Sequence, residues 1–473
     1  MISRFAFQFG YGLDCRFVMD CHGLPIEYEF EKKRGKLAWS YSEIEELGIA
    51  KYNEECEKIS IEHMDEWKNG LSRMGRWLDF SNTCSTSQPK YMENVWKIFK
   101  ELWDNKLIYK DVKLLPFSIG CASPLSDIEA KNHLNVDSLE ITISIELISD
   151  KEKFKGTFLM TSCMNPCWKL LANVALCVNP EKDYVKIITG KEYILSRSYY
   201  EKHFKEEKIV DTFKGHELVG LTYVPAFEYY SNNEGSFRII PSSDPVTETG
   251  TGIIHLAPGL SLQDYNICNE LRFVESSELP CPIDETGKCL LKGSEFEGKY
   301  VDHLSNQLVK NLTLRSMLLK KEKRTSYQNS CWISGRTLIY KAVEGWFLDM
   351  KSINTKYLEN CKNVKWFPEN IANRFSNNQY EFWLISKSRY WGTPLPIWMS
   401  EDGEEIIVVE SIEELEKLTG KSGLENIHRE FIDHLTIPSP TREHVILKRV
   451  PYVFDGWFES GCFHLLIFNL KKG

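Results

Sequence analysis

Four stretches of the sequence combine residue types that could do chemistry. The first is MDCHGLPIE, residues 19–27, which puts an acid, a thiol, an imidazole and a Gly-Leu-Pro turn side by side. Gly23 and Pro25 force a local turn there. Asp20 is then either a helix cap or a fixed anion for an ammonium, because a buried carboxylate needs a cationic partner. The second stretch is TETGTGIIHLAPGLSLQDY. As a strand, GIIHL would put His255 on the face of Ile253 and turn Ile254 and Leu256 the other way. Asp264 follows nine residues after His255, beyond a Pro258-Gly259 turn. Together they could hold an ammonium and a water; the plainer reading is a solvated turn beside a satisfied core histidine. The third, SRYWGTPLPIW, offers Arg389, Tyr390, Trp391 and Trp398 as a surface for stacking a base, or as a proline-stiffened packed crossing. In the fourth, VFDGWFESG, Trp457 and Phe458 could wall a small apolar pocket or belong to a core.

These residues need elements to position them. The chain has 473 residues, enough for two to four domains, and 42% are hydrophobic, enough for sizeable cores. Its 58 basic and 67 acidic residues leave a formal charge of −9. That argues against a wholly electrostatic nucleic-acid coat but not against a local basic face. Fourteen scattered cysteines read as reduced thiols of a cytoplasmic protein, and no structural metal is expected. No run of 18 apolar residues occurs, so no membrane span is expected. Residues 42–80 read as helix, with Ser42 and Glu45 at capping-box spacing and Gly48 and Gly70 as breaks. Residues 90–104 form a clearer helix, with Met92, Val95, Trp96, Phe99, Leu102 and Trp103 on one stripe. Near residue 132 the texture changes to short β-rich runs such as LEITISIELI, NVALCVN and YVKIITGKEYIL. Beyond KRTSYQNSCW, helix and strand signals mix again, with IANRFSNNQYEFWL helical and EEIIVVES a strand leading into a helix. The expected plan is an α/β domain in two halves, residues 1–131 and 326–473, around a β-rich insertion over 132–325.

Taken in order, DCHGLPIEYEFEKK, GIAKYNEECEKI, SRMGRWLDF, ASPLSDIE, NVALCVNP, GTGIIHLAP, LPCPIDETGK, SRYWGTPLPIW, IDHLTIPSP and VFDGWFESG resemble the isoleucine–tRNA ligase family of the eukaryote-like cytosolic type. The resemblance runs from residue 1 to about 461. It implies a split, Rossmann-like class I synthetase catalytic domain enclosing a barrel-like editing domain. It also implies ligation of isoleucine to its tRNA through an adenylate, with ATP as a substrate together with Mg2+. By resemblance Asp20 meets the isoleucine ammonium and Trp457 helps wall its side chain. A pocket made for isoleucine cannot strongly reject valine, so a second, hydrolytic site follows. There Asp264 would grip the ammonium of misacylated valine, with His255, Thr247 and Thr251 lining the pocket and Ser162, Trp168 and Asn173 on the editing loop. The implied partners are tRNA for isoleucine, isoleucine and ATP, with a monomer, or membership of a synthetase complex, expected.

Three departures from the family pattern bear on activity. Neither a His-x-Gly-His nor a Lys-Met-Ser-Lys-Ser signature occurs in these 473 residues, nor do anticodon-binding helices. The expectation is an internal fragment that is inactive in ligation. The family's threonine-rich run ending in Pro-Trp-Thr-Leu-Pro matches MTSCMNPCWKLLAN here, where Trp168 and Asn173 are kept and most hydroxyls are lost. Met19 stands where the family usually has tryptophan. Two other functions stay open on the sequence: a stand-alone deacylase of misacylated tRNA, and a non-catalytic tRNA-binding remnant.

Overall fold

The computed structural model describes residues 2–13, 15–126, 129–163, 166–232, 235–243, 250–273, 279–376 and 380–469. The chain divides into two units, Met1–Asp111 with Gly345–Gly473, and Val112–Glu344. The first and last parts of the sequence thus make one body, and the middle is inserted into it. Against the boundaries read from the sequence at 131/132 and 325/326, the divisions fall at 111/112 and 344/345. They lie inside the long strands Ile108–Ser118 and Ile339–Asp349, where no change of composition marks them.

In the split unit the strand Arg16–Met19 pairs in parallel with Asp79–Ser85, and helices fill the connection between them. This is the parallel crossover of an α/β fold. The connection holds four helices, Leu24–Lys33, Tyr41–Leu47, Ile49–Ile61 and Met64–Arg73. Gly48 ends Tyr41–Leu47 and begins Ile49–Ile61 at φ +92°, a left-handed value that a side chain would resist. The capping box lies two residues before the expected one: Ser40 accepts from the Glu43 N–H and Glu43 answers the Ser40 N–H at 2.9 Å. Ser42 and Glu45 lie inside the helix instead. The helix Pro89–Asp104 follows the stripe read from the sequence. Met92, Val95, Trp96 and Phe99 are buried with Trp346, Trp398 and Phe454 in the main core. Each such side chain is worth roughly 1.5–3 kcal/mol of burial. The expected helix IANRFSNNQYEFWL is shorter than its pattern. Among the described residues only Ile371–Ser376 is helical, and Phe382–Leu384 is a strand paired with Phe347–Asp349. Bulky aromatics on a pleated, half-buried edge override the helical spacing there.

The inserted unit is built on a closed ring of strands. Phe158–Cys163 pairs with Ile254–Leu256, which pairs with Ala175–Val178, then Arg238–Pro241, Thr222–Tyr223 and Asn132–Ile148, and the last returns to the first. Closure removes the exposed edges of these strands. The interior holds Ile143, Ile145, Leu159, Leu176 and Val178 against the short helical segment Cys167–Ala172 and the helix Val301–Leu314. A long antiparallel ribbon, Asn132–Ile148 with Leu318–Ser330, extends from the ring.

Candidate functional site

The split unit fixes Asp20 at the carboxyl end of a parallel strand, where α/β folds place ligands. Four backbone links hold the turn that follows it. Thr86 Oγ1 accepts the Cys21 N–H at 2.9 Å, and Met19 O accepts the Thr86 N–H at 3.1 Å. The Trp391 indole N–H donates to Cys21 O at 2.6 Å, and the Gly23 N–H donates to Trp391 O at 3.3 Å. Gly23, at φ +98°, then admits Pro25 into the first turn of the helix Leu24–Lys33. Asp20 therefore does not cap that helix; its Oδ2 accepts from Ser460 Oγ at 3.2 Å. Although water reaches it, protein packed around its inner side and the Glu459 carboxylate push its pKa above the usual range. It stands at the rim of a cavity of about 570 Å³ whose apolar wall is Met19, Ile26, Ile59, Trp67 and Leu71.

A buried line of polar groups backs the turn. His22 Nδ1 lies 2.8 Å from Glu459 Oε2, and His22 Nε2 lies 2.9 Å from His428 Nε2. Glu459 Oε1 accepts the Thr393 N–H at 2.8 Å. Below it, Arg389 binds Glu27 at 2.6 Å and Glu31 at 2.9 Å, and Glu27 Oε1 accepts the N–H groups of Tyr390 and Trp391 at 3.0 Å each. Arg389, Tyr390, Trp391 and Trp398 are all buried, so the packed reading of SRYWGTPLPIW holds and they offer no face for stacking a base. Trp457 is 58% exposed and is not part of the cavity wall, although its helix carries Glu459 and Ser460 to the Asp20 turn. The structure brings Trp391, His22, His428 and Glu459 to this turn instead. Sequence reasoning missed their convergence, because the pairs lie hundreds of residues apart.

The inserted unit gathers the other candidates at one end of its ring. His255 is 4% exposed on the strand Ile254–Leu256, and its Nδ1 donates to Ser162 O at 3.4 Å. That leaves Nε2 as the basic nitrogen, and it has no partner among the described residues. Burial lowers the His255 pKa, with Asp264 opposing the shift. Asp264 lies in the first turn of the helix Leu262–Glu270, and its Oδ2 accepts the Ala257 N–H at 2.8 Å, two residues beyond His255. Thr251 is engaged internally: its N–H donates to Ser162 Oγ at 2.9 Å and its hydroxyl donates to Ile253 O at 3.1 Å. Gly250 is required there, since a Cβ would lie 2.3 Å from Ser162 Oγ. Asn173 is a structural clamp, donating to Ala175 O at 2.7 Å and accepting from the Tyr223 hydroxyl at 2.7 Å. Trp168 is core. Lys169 follows it, and burial lowers its pKa while Asp264 pulls the other way. Thr247 lies outside the described residues. Among the described residues no cluster of His, Cys, Asp and Glu is arranged to hold a metal, and no helix is long and apolar enough to cross a membrane.

A strand-end carboxylate in a split α/β unit, with a closed β-ring inserted, agrees with what the sequence matches as a whole. Residues 1–471 match the family described as tRNA synthetases class I (I, L, M and V), and the chain belongs to that family. Within it, its curated relatives include isoleucine–tRNA ligases. The chain is 38% identical to the cytoplasmic isoleucine–tRNA ligase of Mus musculus, over 98% of its own length and 37% of that protein's. It is also 38% identical to the isoleucine–tRNA ligase of Tetrahymena thermophila, over 98% of this chain and 43% of that one. The chain thus spans less than half the length of these relatives. A solved ternary complex of an Agrobacterium radiobacter K84 leucyl-tRNA synthetase with tRNA and LeuAMS matches 98% of this chain and 52% of that one, at 14% identity and a TM-score of 0.36.

Proposed function

We propose that the split unit carries the amino-acid site of an isoleucine–tRNA ligase. The observation that carries this reading is Asp20 at a strand's carboxyl end, on a cavity of about 570 Å³ with Met19, Ile26, Ile59, Trp67 and Leu71; the cavity's other two carboxylates, Glu62 and Glu29, are paired with Lys33 and Lys32. That combination suits a small aliphatic ligand with a single cationic group. In the proposed reaction Asp20 holds the isoleucine ammonium while the isoleucine carboxylate attacks the α-phosphorus of ATP and displaces pyrophosphate; a ribose hydroxyl of the tRNA then takes the acyl group and AMP leaves. Catalysis rests on orientation of the reactants. ATP is a substrate, with Mg2+ on its phosphates. The residues present supply no recognised phosphate-binding set, so no step is assigned to them there. The polypeptide of these 473 residues is therefore expected to show no isoleucine-dependent pyrophosphate exchange.

Titration calorimetry with isoleucine tests the site. Asp20→Asn removes a charge-assisted contact worth about 1.5–3 kcal/mol, so affinity falls roughly ten- to 150-fold. The analogue lacking the amino group binds both proteins equally weakly. Equal affinity of wild type and Asp20→Asn for isoleucine defeats the reading.

A second reading rests on His255. With Nδ1–H committed to Ser162 O, its Nε2 lone pair can accept a proton from water, which is general-base chemistry for an ester. On this reading the inserted unit hydrolyses misacylated valyl-tRNA. Release of valine from such tRNA no faster than its spontaneous rate would end it.

A further inference from the structure

Three buried groups and one half-buried one form a line in the split unit: Glu459, His22 and His428, then Asn426. The contacts are 2.8 Å from Glu459 Oε2 to His22 Nδ1, 2.9 Å between the two Nε2 atoms, and 2.7 Å from His428 Nδ1 to Asn426 Oδ1. The protons on this line can be counted. Asn426 Oδ1 also accepts the backbone N–H of His428 at 3.1 Å, so it is the amide oxygen that faces the ring. An amide oxygen only accepts, so His428 Nδ1 carries a hydrogen. Burial, and His22 beside it, hold the His428 pKa well below the ordinary imidazole value, so this ring is neutral and its Nε2 is a bare lone pair. Two bare nitrogens do not bond, so His22 Nε2 is the donor. The contact between His22 Nδ1 and Glu459 Oε2 needs a hydrogen as well. A neutral His22 facing an ionised Glu459 is one hydrogen short.

We propose that His22 and Glu459 together retain one additional proton through neutral pH, as an imidazolium–carboxylate pair, and that this cancels the Glu459 charge so that Asp20 stays ionised for an ammonium. His22, Glu459 and His428 are then positioning residues for the amino-acid site, and the role rests on the reading given above. Asp20 is sensitive to this balance, because Glu459 raises its pKa and His22 lowers it. The other titratable groups around the pair are Tyr91, whose hydroxyl donates to Glu459 O, and Cys462; burial raises both, so both are neutral. Trp391 closes the flank, stacked on His428 at 4.6 Å and edge-on to His22 at 5.0 Å.

Nitrogen-15 labelling of the histidines in the whole chain reads the count directly. The expected spectrum from pH 6 to 8.5 has both His22 nitrogens protonated and His428 protonated at Nδ1 alone. A His22 Nε2 signal typical of a bare lone pair at pH 7 overturns the proposal. His428→Phe keeps a ring against Trp391 but removes the acceptor. Isoleucine affinity at pH 8 should fall about tenfold, close to 1.4 kcal/mol. His428→Gln, whose amide oxygen accepts, should restore it. A structural role alone predicts equal loss in both variants, and that result refutes the positioning role. If the nitrogen pattern is present and wild type binds no isoleucine, the amino-acid reading falls and takes the positioning role with it. The wild-type spectrum decides the proton count even where a variant fails to fold.

Discussion

Replacing Arg389 by methionine tests whether the split unit depends on its buried ion cluster. Arg389 is 3% exposed, bonded to Glu27 and Glu31, with the Tyr52 hydroxyl beside it at 3.3 Å. Methionine keeps most of the stem volume, so little packing is lost. The main cost is that two carboxylates stay buried without their cation. Removing one partner of a buried pair costs about 3–5 kcal/mol. At roughly 2–4 °C per kcal/mol for a unit of this size class, the melting temperature should fall by about 6–20 °C at pH 8. The deficit should also depend on pH in one direction. In the intact cluster burial already raises the Glu31 pKa, and Arg389 opposes that rise. Without Arg389 the folded-state value climbs further above its unfolded value of about 4.3. A carboxylate whose folded pKa is raised binds protons more readily folded than unfolded, so acid favours the fold. The deficit is therefore largest above the raised value and shrinks as pH falls through it. Thermal or denaturant unfolding of wild type and Arg389→Met at pH 8 and pH 5.5 measures this. A loss under about 1 kcal/mol, or a larger loss at pH 5.5 than at pH 8, refutes the reasoning. Adding Glu27→Gln and Glu31→Gln to Arg389→Met should recover much of the stability.

Other outcomes follow from single side chains. Isoleucine binding should weaken as pH falls through the raised pKa of Asp20, above the ordinary aspartate value of about 3.9, because only the carboxylate pairs with an ammonium. Calorimetry from pH 7 to 4 checks this, and an affinity flat to pH 4 contradicts it. Cys331, with Cys121 Sγ 3.7 Å away, is lowered to about 5, chiefly by the Cys121 thiol. Thiolate absorbance should show one group titrating near there, and Cys121→Ala should move it upward; an unchanged midpoint counts against the pairing. Lys169 is near enough to Asp264 to feel its charge, and its cation opposes any ligand ammonium there. Lys169→Thr should therefore hydrolyse misacylated valyl-tRNA at least tenfold faster than wild type, and no gain over wild type would show that Lys169 is not the obstacle.

How far the sequence speaks depends on the range over which each force acts. The stripe from Met92 to Phe99 is legible because one helix turn brings its residues together, and each is buried where its period puts it. The change to β-rich runs near residue 132 is legible for the same local reason, yet the ring those runs close is not. Pairing of Phe158–Cys163 with both Asn132–Ile148 and Ile254–Leu256 is a property of three distant segments. The candidate site divides in the same way. Asp20 stands out because Gly23 and Pro25 mark its turn within five residues. Its partners do not: His22 and Glu459 are separated by 437 positions, and His22 and His428 by 406. One local signal was available. Glu459 follows Trp457-Phe458 and precedes Cys462 at helical spacing, so a helix there would turn a carboxylate toward the same apolar side as Cys462. A carboxylate on a buried face must have donors waiting for it, and the fold supplies His22 Nδ1 and the Thr393 N–H, each at 2.8 Å. Trp457 is the opposite case. An aromatic beside a glycine looks like a pocket wall, but the helix from Gly456 buries Phe458 and Glu459 and leaves Trp457 facing water. Burial of a charged residue, more than exposure of an aromatic one, is the feature that marks Glu459 as part of the turn that carries Asp20.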